Sequence, residues 1–175
     1  MSSAKNLNPR LFLPFLLTGL VIAMDQGIKS FIANNWPPNT YIRDVFGNDL
    51  LWIIHVRNKV IAFSLGQGLP ELVRQVLFIV VPALVLILLI WYYFKTNELN
   101  LLQRWAIAGI TGGGIGNLID RIFRPEGVVD FISVKFYGLF GFDRWPTFNI
   151  ADSSVVVCVF IFIISMILQK EKPHG

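Results

Sequence analysis

Two aspartates, Asp130 and Asp152, lie in apolar stretches of the chain, GVVDF and FNIADS. A carboxylate in or near hydrocarbon costs about 2.5–3.5 kcal/mol on insertion scales, so a pair of them there indicates a function. Two neighbouring carboxyl groups, one of them protonated, can activate a water molecule and protonate the group that it attacks. The pair is therefore a candidate for the hydrolysis of a peptide bond.

Each aspartate also has a structural explanation. Asn149 is placed to cap a following helix, with Asp152 at the third position bonding back to it, as in a capping box. Asp130 is near Arg121 and Arg124 in the sequence, and a salt bridge to either would explain its charge. The sequence around the two aspartates leaves both the capping box and the salt bridge open.

The composition is typical of a membrane protein. Apolar residues make up 54% of the 175-residue chain and charged residues only 15%, whereas soluble domains are about 25% charged. The formal net charge of +4 is too small for a nucleic-acid-binding surface, so we expect no nucleic-acid partner. The sequence contains neither HExxH nor CxxC, and we expect no metal or other cofactor.

Four segments are long enough to cross about 30 Å of hydrocarbon as helices. They are residues 11–32, 72–94, 101–119 and 150–168. The third is rich in glycine, which would allow neighbouring helices to approach closely. We predict a single integral membrane domain over residues 1–175, with long loops at about 33–71 and 120–149.

The two long loops contain further elements. Leu50–Ser64 is rich in β-branched and aromatic residues and predicts a small sheet. Lys135–Trp145 is aromatic and suits a short helix at the membrane interface. The predicted fold is a mainly α membrane protein with four transmembrane helices, a small extracytoplasmic β-sheet and a short interfacial helix.

The predicted topology collects the acidic residues of the spans at one membrane face. An even number of spans places both termini on one side, which the positive-inside rule makes the cytoplasm. Asp25 then lies about 10 Å below the outer end of the first helix. Asp120 ends the third helix at that face and Asp152 begins the fourth, while Asn58 and Asp130 lie in the outer loops.

Two charged pairs in or beside the spans favour structural roles. Asp25 and Lys29 have the i, i+4 spacing of a salt bridge on one helix face. Asp120 and Arg121 would form an interfacial ion pair that closes the third helix.

Five motifs in chain order resemble the signal peptidase II family, the bacterial lipoprotein signal peptidases. They comprise DQ and Lys29 at 25–29, Asn58 with AFS at 62–64, GGGIGNLIDR at 112–121, VVDF at 128–131 and FNIADS at 148–153. The chain departs from the family at Val60, where a glycine is usual. Valine restricts the backbone there and affects the expected loop conformation.

The resemblance implies an aspartyl endopeptidase of the bacterial inner membrane that needs no cofactor. It would remove the signal peptide of a diacylglyceryl-modified prolipoprotein, cutting just before the lipidated cysteine, at the extracytoplasmic face. Its other expected partners are membrane phospholipids and globomycin-type inhibitors. The resemblance assigns catalysis to Asp130 and Asp152, site support or substrate binding to Asn58, Asn117, Arg121 and Asn149, and structural roles to Asp25, Lys29 and Asp120.

Two other classes remain as alternatives. A small proton-coupled transporter or channel also uses acids within its spans, but these acids form no trail through the membrane, and the sequence shows no inverted repeat. A non-catalytic factor would bind a lipoprotein precursor without cutting it. Cleavage of a lipidated precursor separates all three.

Overall fold

The computed structural model describes residues 9–58 and 70–170, and within them the chain is mainly helical. A 3-10 turn (Pro9–Leu11) comes first, followed by α1 (Phe15–Asn35), β1 (Thr40–Asp44), β2 (Leu51–Asn58), α2 (Glu71–Gln75), a π-helical turn (Val76–Val80), α3 (Val81–Lys95), α4 (Leu101–Phe123), β3 (Val128–Val134), a second 3-10 turn (Leu139–Gly141) and α5 (Ile150–Lys170). The elements α2 to α3 follow one another without a break and correspond to the predicted second span.

Three stretches of helix in the described part of the chain are long and apolar enough to cross a membrane. They are Pro9–Asn35, Val76–Lys95 and Ile150–Gln169, and they agree with three of the predicted spans. The remaining predicted span, residues 101–119, is helical but continues to Phe123 as α4. Asp120 and Arg121 therefore lie within this helix rather than at its end.

Helix α4 packs against α1, α3 and α5, and its glycines allow this central position. A Cβ atom at Gly113 would collide with the carbonyl of Ala151 in α5, and one at Gly112 would crowd the backbone of Thr18 in α1. Because these neighbours are backbone atoms, they cannot move aside as a flexible side chain would. The glycine-rich segment thus allows close helix contacts, as its sequence predicts.

We expect the substitution Gly113→Ala to destabilise the protein by about 1–3 kcal/mol, since the new methyl group overpacks the α4–α5 contact. Thermal unfolding in detergent measures this change. Gly27→Ala is a matched control, because a Cβ atom at Gly27 in α1 meets nothing within 4 Å, and alanine favours a helix by about 1 kcal/mol. Equal melting temperatures for the two variants would contradict the close contact.

The described strands form one antiparallel sheet in the order β1–β2–β3. Strand β2 confirms the sheet predicted for Leu50–Ser64 as far as Asn58, whereas residues 59–64, including Val60, lie outside the described residues. Strand β3 was not predicted, although its β-branched run at 128–134 is the appropriate signal. In the β2–β3 register Val56 lies opposite Asp130, and Asn58 lies opposite Val128.

The segment Lys135–Trp145, for which a short helix was predicted, contains a three-residue 3-10 helix, Leu139–Gly141. Gly138, which precedes this helix, and Gly141, which is its last residue, have φ values of 82° and 83°, and this left-handed conformation does not occur within an α-helix. The segment folds back on itself through a bridge between Lys135 and Arg144.

A small core joins the sheet to the end of α1. Val129 and Phe131 of β3 are buried against Ile32, which lies near the end of α1. Side chains alternate along a strand, so Asp130, between these two residues, projects from the opposite face of β3. The contacts of Val129 and Phe131 fix the sheet to α1, and the side chain of Asp130 lies on the opposite face of β3.

Candidate active site

Asp130 is only 2% exposed, and side-chain amides contact both of its oxygens. Asn58 Nδ2 donates to Oδ2 at 2.9 Å, and Asn149 Nδ2 donates to Oδ1 at 2.8 Å. Asn58 reaches Asp130 because it is the diagonal neighbour across the β2–β3 pair. The strand register therefore determines one of the two partners.

Asp152 lies in the first turn of α5 and is half-buried. Its Oδ2 accepts the backbone N–H of Asn149 at 3.2 Å, while the backbone N–H of Asp152 donates to Asn149 Oδ1 at 2.9 Å. This is the predicted capping box, so the structural explanation for Asp152 is confirmed. The cap uses only one carboxylate oxygen, however, and Oδ1 accepts a 2.7 Å hydrogen bond from Asn117 Nδ2 of α4.

Two asparagines connect the aspartates in one network. Asn149 Nδ2 contacts Asn117 Oδ1 at 3.1 Å in addition to Asp130. The start of α5 is held beside β3 because Phe148 forms an antiparallel bridge with Ile132. The structure thus brings together Asp130, Asp152 and three of the predicted supporting residues, Asn58, Asn117 and Asn149.

Within the described residues, Asp130 forms no salt bridge with Arg121 or Arg124, so that explanation of its charge is wrong. Arg124 instead pairs with Asp120 at 3.3 Å and donates to Ser30 at 3.0 Å. No hydrogen bond or ion pair within the described ranges holds the half-buried Arg121. Its guanidinium interacts electrostatically with Asp152 most strongly, then with Asp130 and Asp120.

The expected pair between Asp120 and Arg121 is replaced by other contacts of Asp120. Because α4 continues past these residues, their adjacent side chains do not face each other. Asp120 pairs with Arg124 one turn later and with Lys29 of α1 at 2.9 Å.

Lys29 is the centre of a buried ion cluster formed with Asp25 and Asp120. All three side chains are 0% exposed. The ammonium contacts Asp25 Oδ2 at 2.7 Å, which confirms the predicted i, i+4 pair, and it contacts Asp120 at 2.9 Å and Asn117 Oδ1 at 3.0 Å. Its three donors thus have three acceptors, as a buried ammonium requires.

The acids of this cluster also hold the segments that carry the two aspartates. Asp25 Oδ1 accepts a hydrogen bond at 3.0 Å from the backbone N–H of Ala151, the residue immediately before Asp152. Asp120 Oδ2 accepts one at 3.3 Å from the backbone N–H of Val129, the residue immediately before Asp130. These two acids, which were predicted to be structural, therefore position the segments that carry the candidate aspartates.

Sequence reasoning gave no role to Gln26. Its side-chain amide donates to Asp120 at 2.9 Å and to the carbonyl of Gly116 at 2.9 Å. Gln26 thereby connects α1 to α4 beside the ion cluster. Its position within the DQ motif was the available signal, but its partners are distant in sequence.

Burial raises the pKa of Asp130 from the usual 3.8 to about 7. The nearby charge of Asp152 acts in the same direction, while the hydrogen bonds from Asn58 and Asn149 act against it. The network therefore contains a carboxyl group that retains a proton close to neutral pH. Beside a second carboxyl group, this arrangement suits general acid–base catalysis.

Comparisons with known proteins cover nearly the whole chain. The family model for signal peptidase (SPase) II matches residues 17–168. A lipoprotein signal peptidase of Treponema denticola is 51% identical over 161 residues, which is 92% of each protein. That of Treponema pallidum is 45% identical over 161 residues, which cover 92% of this chain and 86% of the relative.

The fold has a solved counterpart as well. A bacterial membrane enzyme determined at 2.3 Å by the in meso method superposes with a TM-score of 0.78 at 29% identity, covering 93% of both chains. The residues that the family model matches include both candidate aspartates and their amide partners Asn58, Asn117 and Asn149. The chain belongs to the signal peptidase II family.

Proposed function

We propose that Asp130 and Asp152 are the catalytic dyad of this aspartic peptidase. As a signal peptidase II, the protein is a membrane enzyme that cleaves the signal peptides of lipoproteins. The observation that carries the assignment is the single hydrogen-bonded network through Asn117 and Asn149, which contains both carboxyl groups. Family membership gives no support to the transporter alternative.

The chemistry uses one ionised and one protonated carboxyl group. The ionised group takes a proton from water, and the oxygen of that water bonds to the scissile carbonyl carbon. The protonated group gives its proton to the carbonyl oxygen. When the resulting diol collapses, the first group protonates the leaving nitrogen, the C–N bond breaks, and a hydroxyl proton returns to the second group.

The remaining polar residues support this reaction. Asn58, Asn117 and Asn149 orient the carboxylate oxygens, while Arg121 lines the site with a cationic guanidinium. Asp25, Lys29 and Asp120 hold the backbone of the two segments that carry the dyad. Acid–base catalysis by two carboxyl groups and water requires no metal or organic cofactor.

The relatives' names identify lipoprotein precursors as the substrate class. More specifically, we propose that the substrate carries a diacylglyceryl group on its cysteine and is cut just before this residue. A site at one end of the helices would let the acyl chains stay among membrane phospholipids while the peptide enters. Globomycin-type inhibitors would occupy the same site.

The proposed topology is a single domain, residues 1–175, that crosses the bacterial inner membrane four times with both termini in the cytoplasm. The ends of α1 and α4 and the start of α5 meet at the sheet, whereas the turn between α3 and α4 lies at the opposite end of the helices. This arrangement supports an extracytoplasmic site.

A reconstituted assay tests the function directly. The purified protein in liposomes is expected to cleave a diacylglyceryl-modified precursor before its cysteine and to leave the unlipidated precursor intact. A pH gradient across the same liposomes is expected to cause no proton flux. Flux without cleavage would establish a transporter, and precursor binding without cleavage would establish a binding factor.

A further inference from the structure

Two arginines lie at the junction between α4 and the sheet. Arg124 is the first residue after α4, and the turn that follows is closed by a hydrogen bond at 2.9 Å from the N–H of Gly127 to the carbonyl of Arg124. Arg57 of β2 reaches Glu126 in this turn, with 3.6 Å between Arg57 Nε and Glu126 Oε2. The two guanidinium groups therefore border the same turn.

Both arginines are directed toward α1. Arg57 lies opposite Val129 in the β2–β3 pair, and directly opposed residues project from the same face of a sheet. Val129 is buried against Ile32 of α1. Arg124 contacts the same helix, because its Nη2 donates to Ser30 Oγ at 3.0 Å. The two cations thus lie where the end of α1 meets the junction of α4 with β3.

Each guanidinium has a buried N–H group without an acceptor. Within the described residues, Arg57 Nε and Arg124 Nη1 are buried and donate no hydrogen bond. The 3.6 Å from Arg57 Nε to Glu126 is too long for one. Arg124 Nη1 lies 3.3 Å from Asp120, whose carboxylate Lys29 already contacts. Because buried donors are normally satisfied in native proteins, these two N–H groups indicate an acceptor from outside the chain.

The surface beside these arginines is apolar and suited to lipid. Phe31 follows Ser30 in α1 and is 59% exposed, and Phe123 precedes Arg124 and is 74% exposed. Phe31 is one turn from the end of the apolar stretch Pro9–Asn35, which is long enough to cross a membrane. The arginines are therefore at the depth of the phospholipid headgroups, next to side chains that can contact acyl chains.

The charges at this junction match a zwitterionic headgroup. The two acids of the buried ion cluster balance Lys29 and Arg124, and Glu126 balances Arg57. A purely anionic headgroup would add an unbalanced negative charge. The carboxylate of Glu126 is 67% exposed and is available to a cation, so a headgroup with both a phosphate and an ammonium keeps the charges equal.

We propose that the junction binds a zwitterionic phospholipid whose headgroup joins a phosphate to a primary ammonium, the chemistry of phosphatidylethanolamine. Arg57 and Arg124 donate to the phosphate, Glu126 accepts a hydrogen bond from the ammonium, and the acyl chains lie against Phe31 and Phe123. Arginine suits this role because its N–H groups form a planar fork that matches phosphate oxygens. The proposed substrate carries a diacylglyceryl group without phosphate, so this lipid is distinct from the substrate.

Binding of defined phospholipids to the delipidated protein tests the site without any cleavage reaction. Native mass spectrometry compares phosphatidylethanolamine, phosphatidylcholine and phosphatidylglycerol with identical acyl chains at equal concentrations. The wild type is expected to prefer phosphatidylethanolamine, because a quaternary ammonium has no N–H to donate and phosphatidylglycerol has no cation. Equal binding of the three lipids, or a preference for either of the others, would overturn the assignment.

Three substitutions separate the two parts of the headgroup. Arg57→Gln and Arg124→Gln each remove a phosphate donor, and we expect the affinities for phosphatidylethanolamine and phosphatidylcholine both to fall about tenfold. Glu126→Gln leaves the phosphate contacts in place and is expected to lower the affinity for phosphatidylethanolamine to that for phosphatidylcholine. Arg43→Gln, which removes an exposed cation from β1, is the control and keeps the wild-type affinities.

A milder variant guards against misfolding of Arg124→Gln, which also loses the contacts with Asp120 and Ser30. Arg57→Lys keeps these contacts and the positive charge but removes the planar fork. Bound lipid raises the melting temperature of the folded protein, and this rise is expected to be smaller in Arg57→Lys than in wild type. An unchanged rise, or wild-type lipid binding by Arg57→Gln, would contradict the site.

A soluble headgroup distinguishes a phospholipid from a free phosphate ester. Glycerophosphoethanolamine carries the same phosphate and ammonium without acyl chains, and at an equal concentration it is expected not to displace the lipid. Displacement would assign the site to free phosphate esters and overturn the phospholipid. None of these measurements depends on the catalytic assignment of Asp130 and Asp152.

Discussion

Asp130→Asn and Asp152→Asn are each expected to reduce cleavage of a lipidated precursor at least about 10³-fold. Each substitution keeps the size of the side chain but removes a group that must exchange a proton during the reaction. The network partners Asn58, Asn117 and Asn149 remain in place. Initial rates at saturating and limiting substrate, measured in detergent or liposomes, give the change in kcat and kcat/KM.

A carboxylate outside the site provides the control for this loss. Asp143 lies shortly after the 3-10 helix Leu139–Gly141, and its side chain is 75% exposed. Asp143→Asn is expected to retain the wild-type rate. If Asp130→Asn or Asp152→Asn remains folded and cleaves at a rate close to wild type, the dyad assignment is wrong.

Lys29→Met is expected to destabilise the protein by about 3–5 kcal/mol, because it leaves Asp25 and Asp120 buried without their shared ammonium. Both acids are 0% exposed, so water cannot replace the lost partner. The two acids also hold the N–H groups of Ala151 and Val129, so activity is expected to fall together with stability. The midpoint of thermal unfolding in detergent measures the destabilisation.

A second substitution separates lost charge balance from lost packing. In Lys29→Met with Asp25→Asn, Asp120 still has Arg124 at 3.3 Å, and we expect part of the stability to return. Glu126→Gln is the surface control. Its carboxylate is 67% exposed and lies 3.6 Å from Arg57, and such pairs contribute at most about 1 kcal/mol. A melting temperature for Lys29→Met equal to wild type would contradict the role of the cluster.

Local contacts were predictable from the sequence. The Asp25–Lys29 pair and the Asn149–Asp152 capping box each join residues three or four positions apart, and helix geometry alone places such residues together. The apolar runs likewise predicted the helices, because hydrocarbon requires a minimum length of apolar helix. The motifs of the resemblance identified the candidate aspartates.

Contacts between distant segments were not predictable. Asp120 pairs with Lys29 and Arg124 instead of Arg121. The choice of partners depends on how far α4 continues and on which face of α4 packs against α1. The hydrogen bond of Asn117 to Asp152 requires the packing of α4 on α5. The aromatic composition of Lys135–Trp145 also gave no sign that Gly138 and Gly141 adopt a left-handed conformation.

The hydrogen bond between Asp25 and the backbone of Ala151 joins residues 126 positions apart. It connects the first helix to the last one, which supplies Asp152. A chain that ends before α5 therefore lacks half of the proposed dyad and one hydrogen-bond partner of its first helix. Cleavage activity is expected only once α5 has packed against the rest of the protein.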